Sequence, residues 1–355
     1  MAYPDGAGWR DFLICSERIG RDISLVQAAG GNSSIKTDGR MWIKASGTWL
    51  AEAVARPIMV PVDLRAMRAR VMAGDLDEGE IAGMTGSVPG MEGMRASVET
   101  PFHALMDAPC VLHVHCVATL AHAISAEAES RLATRLLGLD WLWQPYIKPG
   151  VPLTNALREA GAAGSRVVVL GSHGLIVAGR TPFAAEARLR EIRKRLQISV
   201  IGTSTGFRPL DISLAGTGYG PANIGRAHAL ARDEALIAIA GECAIAPDFV
   251  VFFGPRIPVL SPGPDLPAAL TALARQPVPL NAAVIVEGHG VLIRDTAMRG
   301  TVELLRGYHL VLEQFLAAGG GERRVFSNAE IDELLGWDAE KYRQKLNRGG
   351  GDGAV

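Results

Sequence analysis

The chain has 355 residues, 48% of them hydrophobic, enough for one large domain or two with a sizeable core. Its 36 Lys and Arg balance 37 Asp and Glu to a formal net charge of −1, which gives no electrostatic footing for nucleic acid or an anionic membrane surface. No run approaches about 18 consecutive apolar residues, residues 1–9 lack a basic region followed by an apolar stretch, and the four cysteines have no Cys-x-x-Cys spacing. The expectation is a cytoplasmic protein without membrane segment, disulfide framework or zinc ribbon.

In chain order, helical spacing of Phe12, Leu13, Ser16, Ile19, Ile23 and Val26 predicts a helix over 9–29 ended by Gly30-Gly31. Two short strands then flank a tight turn at Asp38-Gly39, and a second helix over 63–73 has Asp63 as its N-cap. Residues 74–96, rich in Gly and Met, read as a loop leading to a helix over 100–106. The run 111–116 reads as a strand, 117–124 as a helix, 153–160 as another, and 182–200 as a long one with Pro182 in its first turn. Strands separated by helices imply an α/β layer structure, and the early hairpin argues for antiparallel pairing. Gly, Thr, Ser and Pro recur over 202–223 and mark a boundary. Beyond it, 247–253 reads as a strand, and 284–293 echoes 167–177 with a long helical pattern after each, as in a degenerate internal repeat. The expected organisation is a catalytic domain over 1–205, a C-terminal α/β extension over 206–347, and a disordered Gly-rich tail over 348–355.

The chemistry concentrates in a few places. His113 and His115 stand two apart on an apolar run, so on a strand both imidazoles share a face, and His173 follows a second apolar run in Gly171-Ser172-His173-Gly174. Three neutral imidazoles suit zinc or another divalent transition metal and leave a coordination position open. His-x-His by itself fits a packing role equally well. Glu99 precedes a helix, where it serves either the helix dipole or, near a metal, as a proton acceptor and donor. Gly30-Gly31-Asn32-Ser33-Ser34 and Ser46-Gly47 offer backbone N–H groups and side-chain donors for a phosphate, although they lack P-loop spacing. Cys116 reads as a buried small hydrophobe, His228 and His309 as ordinary surface or packing residues, and His289 as structural with a substrate-rim contact as its alternative.

Taken together, the blocks Gly30–Lys36, Ile43–Gly47, Ser97-Val98-Glu99 with His103 and His113-Val114-His115, and Gly171–Val177 resemble the class II aldolase/adducin superfamily over about residues 8 to 200. Within it the nearest likeness is to the aldolase half of bifunctional rhamnulose-1-phosphate aldolase/lactaldehyde dehydrogenase chains. Residues 206–345 contain no Gly-x-Gly-x-x-Gly after a strand, so a stand-alone aldolase-like protein without a nicotinamide site is expected. The resemblance implies a central, mainly antiparallel sheet flanked by helices. It further implies His113, His115 and His173 as metal ligands, Glu99 as acid/base, and Gly31, Asn32, Ser46, Gly47 and Ser97 as phosphate-binding positions. One departure is Val98, where many small aldolases of the family have a second serine. The implied activity is metal-dependent cleavage of a small ketose 1-phosphate, rhamnulose-1-phosphate-like, to dihydroxyacetone phosphate and an aldehyde, by a homo-oligomer such as a tetramer. A decarboxylase, epimerase or dehydratase of a sugar phosphate or hydroxy-keto acid would use the same ligands, and adducin-like members are non-catalytic interaction modules. The group that handles the aldehyde half has no assigned residue; Glu127, Glu129 and Tyr146 are candidates by location.

Overall fold

The computed structural model describes residues 2–200 and 206–338, together with 341 and 346. The tail expected over 348–355 and residues 201–205 of the expected boundary lie outside the described residues. The chain divides into two compact units, Met1–Ala123 with Glu127–Gln197, and Ile124–Ala126 with Ile198–Val355.

The first unit is built on a seven-stranded sheet. Its strands are β1 (Asn32–Thr37), β2 (Arg40–Lys44), β3 (Met59–Asp63), β4 (Cys110–Val114), β5 (Leu142–Gln144), β6 (Val167–Leu170) and β7 (Gly174–Gly179), in the order β3-β2-β1-β4-β7-β6-β5. Every neighbouring pair is antiparallel except β5 with β6. The β1–β2 turn has Asp38 at φ 51 and Gly39 at φ 74, the two left-handed residues that a two-residue hairpin turn demands. Strands β4, β6 and β7 are buried along their whole length, which their Val, Leu and Ile runs require and the covering helices supply.

Those helices include α1 (Ala7–Gly20), α2 (Leu64–Ala73), α3 (Glu80–Gly83), α4 (Thr100–Leu105), α5 (Val117–Ala123), α6 (Ala128–Arg135), α7 (Val151–Glu159) and α8 (Pro182–Leu196). Asp63 caps α2 by accepting the Ala66 N–H at 3.0 Å, and Thr181 caps α8 by accepting from Ala184 at 3.1 Å. Helix α8 lies so close to β7 that a Cβ on Gly179 would stand 2.5 Å from the Ala185 nitrogen. The first helix is shorter than its spacing predicts. It stops at Gly20, where a Cβ would run into the Ala51 nitrogen, and the Asp22 carboxylate then takes the Ser24 N–H and O–H in a turn. Leu25 and Val26 are buried from that turn, so periodicity outlasts the helix. Helix α8 likewise ends at Leu196, where Gln197 becomes extended.

The second unit holds a four-stranded sheet of β8 (Tyr219–Pro221), β9 (Val259–Leu260), β10 (Ala283–Val286) and β11 (Gly290–Arg294), in the order β8-β11-β10-β9. One core cluster joins Tyr219, Leu266, Leu270, Val284, Val286 and Leu292. The strand expected over 247–253 is a helix, Pro247–Phe253. Pro247 suits a first helical turn, Asp248 favours the positive helix end, and the wholly buried run has no exposed face to reveal its period. Among the described residues no helix is long and apolar enough to cross a membrane.

Hairpins β6–β7 and β10–β11 share one construction. Each turn has three residues, Gly171-Ser172-His173 and Glu287-Gly288-His289, and the middle one is left-handed, Ser172 at φ 51 and Gly288 at φ 76. In each, the histidine N–H bonds back three residues, His173 to the Leu170 carbonyl at 3.3 Å and His289 to that of Val286 at 3.0 Å.

Candidate metal centre

Three elements of the first unit bring the histidines together. His113 lies on β4, His115 one residue past its end, and His173 in the β6–β7 turn; in the β4–β7 register His113 faces Ile176. All three are buried, and one ligand nitrogen of each lies within 4.8 Å of the others. Their ring centroids are 5.1 Å apart for His113 and His115, 4.8 Å for His113 and His173, and 5.3 Å for His115 and His173. Two glycines permit this closeness. A Cβ on Gly174 would stand 2.5 Å from the Val114 carbonyl oxygen and 3.3 Å from His113 Cε1, and one on Gly31, itself at φ +58, would stand 2.7 Å from the His113 carbonyl oxygen.

The donor set fits a divalent transition metal. His113 Nδ1 is 3.3 Å from the Leu175 carbonyl oxygen, so it carries the hydrogen and Nε2 presents its lone pair. The Glu99 carboxylate closes one side of the cluster, with Oε2 at 3.4 Å from His113 Nε2 and Oε1 at 3.3 Å from His173 Nε2. Glu99 stands at the start of α4 without capping it through its side chain. Its carboxylate is instead held by Asn32, whose Nδ2 donates to Oε2 at 2.7 Å and to Ser97 Oγ at 3.2 Å. Asn32 reaches it because β1 pairs with β4, Asn32 facing His113.

Behind Asn32 lies His103, fully buried, with Nε2 against Asn32 Oδ1 and Nδ1 at 2.7 Å from Ser34 Oγ. Burial first, then the charges of His113 and Lys36, holds this imidazole well below the usual histidine range, so the ring is neutral. Sequence reasoning gave His103 no role of its own and read Ser34 only as part of a loop with donors for a phosphate, whereas its hydroxyl faces His103. The available signal was the four-residue step from Glu99 to His103, which places them one helical turn apart.

The remaining expected residues gather beside this cluster. Ser97 Oγ also accepts the Glu99 N–H at 3.3 Å, and the bridge between Ala45 and Ala96 sets the Ser46-Gly47 turn beside Ser97. Buried Lys44 donates to the carbonyls of Ala29 at 2.8 Å and Thr48 at 2.8 Å, tying the loop before Gly31 to the loop after Gly47. Its role was also missed, since a lysine on a strand reads as solvent-facing until both loops are folded over it. Of the three candidates for the aldehyde half, Glu127 and Glu129 are exposed, and Glu127 pairs with Arg131 at 3.3 Å. Tyr146 is half-buried, and its backbone nitrogen would touch a Cβ on Gly171 at 2.9 Å, beside the His173 turn.

In the second unit His228 and His309 are buried, and His228 Nδ1 accepts the Val291 N–H at 3.1 Å. His289 turns its Nδ1 to the carbonyls of Arg208 at 3.2 Å and Pro209 at 3.0 Å. All four cysteines are buried, and burial pushes the Cys116 thiol up, as for a small apolar residue.

The model of one protein family, the class II aldolase and adducin N-terminal domain, matches residues 13–200. The chain is 28% identical over 186 residues to a protein of Bacillus subtilis (strain 168) described as the uncharacterized oxidoreductase YuxG; the match covers 49% of this chain and 27% of that protein. Among solved structures it is similar to the N-terminal class II aldolase domain of a conserved protein from Thermoplasma acidophilum, at 24% identity and a TM-score of 0.47, covering 55% of this chain and 94% of the other. It is also similar to L-fuculose-1-phosphate aldolase from Thermus thermophilus, at 19% identity and a TM-score of 0.36, covering 53% and 91%.

Proposed function

From the premise that the chain belongs to the class II aldolase and adducin N-terminal domain family, we propose that it is a metal-dependent aldehyde-lyase. The proposed reaction cleaves a small ketose 1-phosphate, rhamnulose-1-phosphate-like, into dihydroxyacetone phosphate and an aldehyde. The observation that carries this reading is the Glu99 carboxylate set 3.3 to 3.4 Å from two imidazoles of a buried three-histidine cluster.

His113, His115 and His173 would hold zinc or another divalent transition metal, which as a Lewis acid would stabilise the negative charge that develops on the donor's oxygens when the carbon–carbon bond breaks. Glu99 would serve the carbon that loses its partner: as the carboxylic acid it would give that carbon a proton in cleavage and be left as the carboxylate, and as the carboxylate it would take the proton back in the reverse direction. Asn32 orients the carboxylate for that transfer. Ser97 Oγ accepts from both Asn32 and the Glu99 N–H, so its own proton remains to be donated to a phosphate oxygen. Gly31, Ser46 and Gly47 would complete that phosphate cradle with backbone N–H groups. The catalytic domain is read as residues 1–205, with 206–347 as an extension that descends from a degenerate repeat, and the working form as a cytoplasmic homo-oligomer.

The test is release of dihydroxyacetone phosphate from a panel of ketose 1-phosphates by the metal-loaded full chain, with and without a chelator. Chelator-sensitive release from one sugar is the expected result. A metal-loaded protein that releases nothing overturns aldol cleavage, and decarboxylation or epimerisation then takes its place.

A further inference from the structure

Four buried side chains form a single file that ends on the acid/base carboxylate: Ser34, His103, Asn32 and Glu99. The donors in this file follow one from another. The Asn32 amide nitrogen donates to Glu99 Oε2 at 2.7 Å and to Ser97 Oγ at 3.2 Å, and Oδ1 therefore faces His103. A carbonyl oxygen cannot donate, so His103 Nε2 carries the hydrogen. With a neutral ring, Nδ1 then accepts from the Ser34 hydroxyl at 2.7 Å. Every hydrogen in the file points toward the carboxylate.

Resting on the reading of Glu99 as the acid/base, we propose that His103 is a positioning residue that locks the Asn32 amide with its N–H groups aimed at Glu99. An amide has two nearly isosteric orientations, and the wrong one would set Oδ1 against the carboxylate, repelling it from its place by the imidazoles. With His103 in the Nε2–H tautomer, its Nδ1 taken up by the Ser34 hydroxyl, the flipped amide would face a second donor, so that orientation would require the ring to change tautomer and the Ser34 bond to reverse. Asn32 offers its amide hydrogens to Glu99 and Ser97. Stacking of the His103 ring on Phe102, with centroids 4.7 Å apart, fixes the plane from which the N–H is offered.

The experiment compares His103→Leu, which removes the donor, with His103→Gln, whose amide nitrogen sits as many bonds from Cβ as Nε2 does. Both are measured in the full chain against the wild type. In His103→Leu, kcat for dihydroxyacetone phosphate release and solvent deuterium exchange into that product should fall about 10- to 100-fold, with KM and metal content unchanged. His103→Gln should recover most of the loss. Equal kcat for His103→Leu and wild type overturns the proposal, as does a loss that His103→Gln fails to restore. Nitrogen-15 spectra of histidine-labelled wild type provide a readout that needs no turnover: a neutral Nε2–H tautomer for His103 is expected, and the Nδ1–H tautomer overturns the file. Should the wild type prove inactive on ketose phosphates, the lyase reading fails separately. A crystal structure of His103→Leu then decides this one, since an unchanged contact between Asn32 and Glu99 would refute it and a displaced carboxylate would support it.

Discussion

In the β6–β7 hairpin the turn residue His173 joins two further imidazoles and a carboxylate, whereas in the equally built β10–β11 hairpin His289 bonds two backbone carbonyls. Left-handed middle residue, turn length and back-bonded histidine N–H are shared, so the turn alone does not make the site. The difference lies on the neighbouring strand. His113 faces Ile176, two residues past Gly174; the matching place, facing Leu292 two residues past Gly290, holds Pro221. Two residues further on, Asn223 stands where the first unit has His115. The space over Gly290 is filled as well: a Cβ there would meet His228 Nδ1 at 2.6 Å and Phe207 at 2.7 Å. A histidine in such a turn becomes a candidate ligand only when the adjacent strand supplies imidazoles of its own.

The strongest challenge to this contrast is a pair of alanine variants. His173→Ala should lose its metal and, with it, activity on the order of 10³-fold, while His289→Ala should keep full metal content by elemental analysis. Metal loss from both would erase the distinction. Glu99→Gln separates ligand from acid/base within the first unit: metal should stay bound while deuterium exchange at the donor carbon falls about 10²- to 10⁴-fold, and unchanged exchange would remove Glu99 from the chemistry.

The glycines sharpen the contrast with smaller effects. Gly174→Ala drives a Cβ into the Val114 carbonyl beside His113, and should lower stability by about 2–3 kcal/mol in urea unfolding and weaken metal binding. Gly288→Ala meets no atom within 4 Å and is strained only by its φ of +76, about 1 kcal/mol, with metal affinity untouched. Smallest of all, the stability change in His289→Ala should stay under about 1 kcal/mol, because its two acceptors lie near the surface where water replaces the ring.

Much of the first unit was legible from local signals. The Asp38-Gly39 turn, the Asp63 cap and the buried runs of β4, β6 and β7 each follow from residue types within a few positions. Where local signals misled, the cause was long-range. The first helix ends at Gly20, which packs against the backbone of Ala51, a residue beyond the first hairpin, and the helix at 247–253 was not legible because a run buried on all sides carries no period to read. In the site, His113, His115, His173 and Glu99 stood out because their types announce chemistry. His103 and Lys44 did not, since an imidazole facing an amide or an ammonium facing two carbonyls is visible only once β1, α4 and the loops have met.

By itself the sequence determined which atoms were available: three imidazoles and a carboxylate, placed on elements whose strand and turn geometry follows from short-range sterics. Only the tertiary structure decided what those atoms do. It selected His173 over His289 through the identity of the facing strand, and it turned Asn32 toward Glu99 through a buried neutral His103. The physical reason is that ligand sets and hydrogen-bond direction depend on distances of about 3 Å between residues far apart in the chain, and such distances are set by strand register and close backbone approach.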